Sequence, residues 1–178
     1  MRRVVLMMSV SVDGYVAGPH GHPGALPEPD ELKRWKLDRV RRAGAHLMGR
    51  VTYEEMAAHW PTSTDDYAAP MNEIPKVVFS NSLASVGWGE TEIAAGDLAD
   101  AIRRLKRERP DGYLLAQGGA RFARSLVQTG LIDEYRLVVH PVVLGAGERL
   151  FSAPHTIEST SITAFSGGAV AHVFAARL

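Results

Sequence analysis

The chain has 178 residues, 46% hydrophobic and 22% charged, with 20 basic residues against 20 acidic ones and no cysteine. That length suits one domain spanning 1–178, with a core large enough to stand without a metal or disulfide, and the composition excludes a disordered chain. Balanced charge supplies no global field for nucleic acid, and the lack of cysteine excludes disulfides, thiolate nucleophiles and cysteine-ligated metal centres.

In chain order, the apolar run behind Arg2 and Arg3 is Val4 to Met8 before Ser9 interrupts it. It is too short for a secretory signal or a membrane span of about 20 residues, so a cytoplasmic protein with no membrane partner is expected. Val4 to Val10 predicts a strand buried on both faces. Residues 13–29 carry five prolines or glycines between 18 and 24 alone (Gly18, Pro19, Gly21, Pro23, Gly24) and predict a long loop of functional type, a candidate lid. Asp30 caps a helix whose Leu32, Trp35, Leu37 and Val40 face inward, while the basic residues from Lys33 to Arg42 form a solvated face.

His46-Leu47-Met48 predicts a short strand, and Gly49 to Ala58 a turn entering a helix; residues 59–75 are expected as a flexible excursion. Lys76 to Ser80 is another strand. Asp97 is an N-cap for a helix carrying Leu98, Ala101, Ile102 and Leu105, which stops before Pro110. Tyr113 to Ala116 is a strand broken by Gly118-Gly119, and Ala120 to Gln128 a helix closed by Gly130. Glu134 to Val143 reads as a strand, and Ser161–Phe165 with Ala169–Ala175 as a hairpin around Gly167-Gly168. This order predicts an α/β fold with a mixed sheet, parallel in the middle and antiparallel at one edge.

Three strand ends carry groups suited to phosphate. At Gly118-Gly119 a strand hands over to a helix whose exposed amides bind anions, and glycine lets a phosphate approach the backbone. The spacing is not the six-residue dinucleotide fingerprint. At Gly49-Arg50-Val51-Thr52, Arg50 offers a charge-assisted fork and Thr52 a neutral donor. Phe79-Ser80-Asn81-Ser82 ends a third strand with small polar side chains. Ligands in such sheets bind beyond the carboxyl ends of the strands, so together the three predict a dinucleotide groove.

At these segments the sequence resembles the dihydrofolate reductase-like family, and more closely its branch containing the reductase domain of riboflavin biosynthesis. The resemblance spans nearly the whole chain. It rests on Ser9 to Gly18, on Gly49-Arg50-Val51-Thr52-Tyr53-Glu54, on Lys76 to Leu83, on Gln117-Gly118-Gly119-Ala120-Arg121-Phe122, and on Leu131 to Tyr135 followed by His140 to Gly145. It implies a three-layer fold around a mostly parallel eight-stranded sheet with an antiparallel C-terminal hairpin. It also implies an NADPH-dependent reductase, with NADH left open, acting on a C=N or C=O bond of a pterin or riboflavin-pathway pyrimidine. Such an enzyme would resemble a 5-amino-6-(5-phosphoribosylamino)uracil or dihydrofolate reductase.

By that resemblance Gly49, Arg50, Val51 and Thr52 sit on the phosphates, and Phe79, Ser80 and Asn81 lie along the adenine and its 2′-phosphate. Gln117, Gly118, Gly119, Ala120, Arg121 and Phe122 wrap the pyrophosphate, and Ala17 and Gly18 close over the nicotinamide. Many relatives carry arginine where this chain has Asn81, which weakens the expected preference for NADPH over NADH. The substrate half is drawn from the loop at 13–29, the first helix and residues 56–72, with Trp35, Met56 and Trp60 against the substrate. For the proton donor, Glu31 has an i, i+4 aromatic in Trp35, and Asp13 is the rival acid; each also has a plain structural reading, at a helix start and a turn. Relatives in this branch tend to pair through sheet edges, so a homodimer is expected. His20-x-His22 reads as a solvated pair, and no metal is expected. The alternative function is a non-catalytic nucleotide-binding or sensor domain that keeps the fold.

Overall fold

A computed structural model describes residues 1–19, 21–23, 28–108 and 111–176. The elements run β1 (Val4–Ser11), β2 (Tyr15–Ala17), α1 (Asp30–Arg41), β3 (Ala43–Gly49), α2 (Arg50–His59), α3 (Ala68–Glu73), β4 (Lys76–Phe79) and β5 (Thr91–Ala94). They continue with α4 (Leu98–Glu108), β6 (Tyr113–Gln117), α5 (Ala120–Gln128), β7 (Glu134–His140), β8 (Glu148–Arg149), β9 (Ile157–Ala164) and β10 (Val170–Ala176). Eight strands make one sheet in the order β5-β4-β3-β6-β1-β7-β10-β9. From β5 to β7 every pair is parallel, and β10 and β9 close the far edge antiparallel.

The unbroken apolar run of β1 has its cause in this order. Lying between β6 and β7 with helices on both faces, Val4, Val5 and Leu6 are fully buried. Alternate residues divide between the faces. Leu6, Leu47 and Leu114 pack with Ile102, Leu105 and Leu126 of α4 and α5. Val5, Met48 and Leu115 pack with Val40, Tyr53 and Met71 of α1, α2 and α3. The result is three layers, helix–sheet–helix, as the sequence predicts.

Several local expectations need correction. Pro29, not Asp30, holds the N-cap position of α1, and no side chain caps it; Asp30 and Glu31 lie in the first turn. Asp97 does cap α4, its Oδ1 accepting the Asp100 amide at 2.9 Å. The region 59–75 is ordered: a 3-10 turn, Trp60–Thr62, precedes α3, whose Ala68, Pro70 and Met71 are buried. Lys76 anchors the start of β4, burying its stem, donating to the Asn72 carbonyl at 2.6 Å and lying over the Trp88 ring. Burial pushes the Lys76 pKa down to about 8. β5 and the paired strands β2 and β8 had no periodic pattern long enough to announce them.

The basic face of α1 is less solvated than expected. Lys33 reaches Asp65 and Asp66, Lys36 pairs with Glu28, and the Arg39 guanidinium lies 3.5 Å from the Trp35 ring centroid. Part of the expected loop at 13–29 is strand, since β2 pairs antiparallel with β8. His20, residues 24–27 and Pro110, on which parts of the lid, metal and helix-stop expectations rest, lie outside the described residues.

Candidate functional site

Because β3, β6, β1 and β7 are parallel, their carboxyl ends share one edge of the sheet. Met7 of β1 is level with Gln117 of β6, and Ala116 with Leu47 of β3. A cleft of about 1150 Å³ opens along that edge, where a parallel sheet leaves room for ligands.

One end of the cleft is backbone. Gly49 is the N-cap of α2, and Gly119 the N-cap of α5; neither helix has a capping side chain or an acidic residue in its first turn. The amides of both first turns are therefore open, with positive helix ends facing the cavity. Gly118 and Gly119 take φ of 79° and 71°, the left-handed region that disfavours side chains. A Cβ on Gly119 would lie 2.5 Å from Thr52 Oγ1, so the two strand ends meet only because no side chain intervenes. Gly49 fits beneath Phe122, whose ring stacks on Phe79 at 5.1 Å between centroids. Arg50 and Arg121 also line this end. Arg50 is paired with Glu54 at 2.9 Å, an exposed i, i+4 contact that a phosphate can replace at small cost.

The other end is made of side chains from remote elements. Met7, Met8 and Ser9 of β1, Val138 of β7, and Trp60 and Tyr67 of the α2–α3 region form its walls, while Met56, close to Gly118, and Met71, 3.4 Å from Gln117 Nε2, lie where it meets the glycines. Ser9 Oγ lies 3.0 Å from His140 Nε2. Burial holds the His140 pKa below its usual range; Lys36 and His22 push it the same way, and Glu28 opposes them. Glu28 and Lys36 line the cleft as an ion pair whose side chains are only 18% and 14% exposed.

Of the residues singled out in the sequence, Ala17, Gly49, Arg50, Val51, Thr52, Met56, Trp60 and Gln117 to Phe122 come together around this one cavity. Gly18, Trp35, Phe79, Ser80 and Asn81 are not among its lining residues. Ser80 Oγ accepts the Ser82 and Leu83 amides and closes a local turn, and Asn81 Oδ1 accepts the Gly96 amide at 2.8 Å, joining the segments that follow β4 and β5. Trp35 packs edge-on to Phe165.

Both acids expected as proton donors accept backbone hydrogen bonds away from the cleft. The Glu31 carboxylate accepts the Ser166 amide, which holds its pKa below the usual range and ties α1 to the turn between β9 and β10. Asp13 accepts the Leu144 and Gly145 amides at 3.1 and 2.7 Å. The Ser11 hydroxyl and then these amides hold its pKa at about 2. Neither acid lines the cleft, and neither keeps a proton near neutrality.

Ser9, Glu28, Lys36, Tyr67 and Met71 also line the cleft; all but Ser9 fall within the loop, first helix and 56–72 segment expected to build the substrate half, though none was singled out there. The signal for Ser9 was available: it lies two residues beyond Met7, which is level with Gln117, and so at the same sheet edge as the glycines. The others come from helices and loops whose packing no local pattern encodes.

Residues 2–171 match the RibD C-terminal domain, so the chain belongs to that family. Among curated proteins it is 26% identical over 183 residues to the uncharacterized protein YyaP of Bacillus subtilis (strain 168), covering 97% of this chain and 94% of that one. Among solved structures it is similar to a putative riboflavin biosynthesis protein from Shewanella sp. PV-4, with a TM-score of 0.78, 20% identity and full coverage of both chains. A diaminohydroxyphosphoribosylaminopyrimidine deaminase/5-amino-6-(5-phosphoribosylamino)uracil reductase from Thermotoga maritima gives a TM-score of 0.71 at 15% identity, over 99% of this chain and 57% of that one. These likenesses establish the fold.

Proposed function

We propose that this member of the RibD C-terminal domain family is an NADPH-dependent reductase, with NADH as the alternative dinucleotide, that passes hydride to a C=N or C=O bond of a small molecule. The observation that carries the reading is the pair of uncapped helix starts at Gly49 and Gly119, both opening on one cleft beside a left-handed Gly118-Gly119. Phosphates fit there because the amides of α2 and α5 are unmatched by any side chain, and glycine permits close approach. Membership of a family whose solved relatives include a named uracil reductase supports the same reading.

The residues fit the cofactor in kind. Gly49 and Thr52 on one side, with Gly118 to Phe122 on the other, would hold the diphosphate, and Phe122 is backed by Phe79. Asn81 is occupied with Gly96, so a 2′-phosphate would depend on Arg50 or Arg121, the arginines lining that end among the described residues. The bound dinucleotide supplies the hydride; the protein's part is to hold donor and acceptor in contact and exclude water. Titrating the protein with NADPH and NADH, followed by nicotinamide fluorescence and melting temperature, tests this. Saturable binding of NADPH below millimolar concentration is expected, and no binding of either nucleotide would overturn it. Binding without turnover across a wide acceptor panel would favour the non-catalytic sensor instead.

A further inference from the structure

The half of the cleft beyond the glycines carries information about the acceptor's charge. Its walls are thioether and aromatic, Met7 and Met8 with Trp60 and Tyr67, and Met56 and Met71 carry the thioether lining back to Gly118 and Gln117. Methionine is deformable and polarisable and accommodates flat apolar rings, with a favourable sulfur–aromatic contact. A phosphate or carboxylate would need a cation here. The candidate among the described lining residues is Lys36, and its Nζ is already held by Glu28 in a largely buried pair. An anionic ligand on Lys36 would have to displace Glu28, leaving a carboxylate unpaired in a desolvated place beside a second negative charge.

The histidines do not fill the gap. His140 is buried, and its pKa is held low, so at neutral pH it faces Ser9 uncharged. His22 lies at the exposed rim. The polar groups here are the Ser9 hydroxyl, backed by His140 and able to donate one hydrogen bond to a carbonyl or imine, and the neutral Gln117 amide beside Met71. The glycine end differs sharply, with two arginines and two positive helix starts.

We infer that the acceptor is an uncharged, mainly apolar compound carrying one carbonyl or imine, rather than a sugar phosphate or other anion. The inference rests on the dinucleotide reading only for which half of the cleft the acceptor occupies. It separates this chain from the relative whose name specifies a phosphoribosylated substrate.

The experiment uses the full chain, with and without saturating NADPH, and matched pairs of flat aromatic aldehydes and quinones. Each neutral compound is compared with the same ring bearing a carboxylate or phosphate. Melting shifts report binding, and loss of nicotinamide absorbance reports turnover. The neutral member of each pair is expected to bind at least roughly tenfold tighter. Glu28→Gln, which releases Lys36, should narrow that gap in favour of the anion. An anionic member binding as tightly as its neutral partner, or no neutral member binding while NADPH does, would overturn the inference. If NADPH itself fails to bind, the dinucleotide reading falls, and the neutral preference is still read from the melting shifts without cofactor.

Discussion

Helices α4 and α5 bracket the same strand, β6, and bury their apolar residues against the same face of the sheet, yet they begin in opposite ways. α4 starts under Asp97, whose carboxylate takes the Asp100 amide. α5 starts at Gly119, with no side chain on its amides and none of the acidic residues that elsewhere sit in first turns. Free amides at a helix start are costly unless something accepts from them, so a start with an acceptor is finished and one without is reserved for a ligand or water. The same distinction runs through the molecule. Asp13 finishes the Leu144–Gly145 turn, and Glu31 accepts the Ser166 amide. α1 and the short α3 also start without a capping side chain, α1 with Asp30 and Glu31 in its first turn; the uncapped starts that face the cleft are those of α2 and α5.

Filling an open start should have the largest effect. Gly119→Val places a branched side chain at φ 71°, with its Cβ 2.5 Å from Thr52 Oγ1. Nicotinamide fluorescence should register a loss of NADPH affinity of roughly a hundredfold or more. Undiminished binding would break the comparison. Arg50→Ala, at the other open start, removes a charge-assisted contact and should weaken NADPH about tenfold, for the ~1.5 kcal/mol that such a bond contributes. The melting temperature should barely move, since Arg50 is paired only at the surface with Glu54.

Opening a closed start should do the reverse. Asp97→Ala is expected to cost about 1 kcal/mol in urea unfolding and to leave the NADPH titration unchanged. Asp13→Asn should remove a contribution to stability that depends on pH. The folded carboxyl sits at about 2 against an ordinary 3.8, so its stabilisation is present above that ordinary value and fades as pH falls toward 2. The variant should flatten that limb of a melting-temperature profile. A second acid effect lies higher. His46 is fully buried with its pKa at about 4, so the unfolded chain takes up a proton that the folded one refuses, and stability falls between about pH 6.5 and 4.

What the sequence made legible is what backbone chemistry demands locally. The glycines at 118 and 119 stand at a strand end because the turn needs left-handed residues, and their role can be read without knowing any neighbour. The buried strands were likewise visible as apolar runs. The hydrogen bonds of the two acids were not legible because their partners are distant: Ser166 is 135 residues from Glu31, and Leu144 is 131 from Asp13. No spacing rule reaches that far. The side-chain end of the cleft was obscure for the same reason, being assembled from β1, β7, α1 and the α2–α3 region, where each residue reads on its own as ordinary core.

The position of β1 has a consequence for how the molecule is made. It precedes the other described strands in the chain, and in the sheet it pairs with β6 and β7, Val4 opposite Leu114 and Val5 opposite Glu134. While residues 12 to 112 are being added, this apolar strand has no edge to join. β3, β4 and β5 can associate meanwhile as a separate parallel unit. The parallel part of the sheet is completed only when Tyr113–His140 has left the ribosome and β1 can close the gap between β6 and β7. Ordering so distant a pairing makes for slow folding, and the nascent chain is most in need of chaperone protection in that interval.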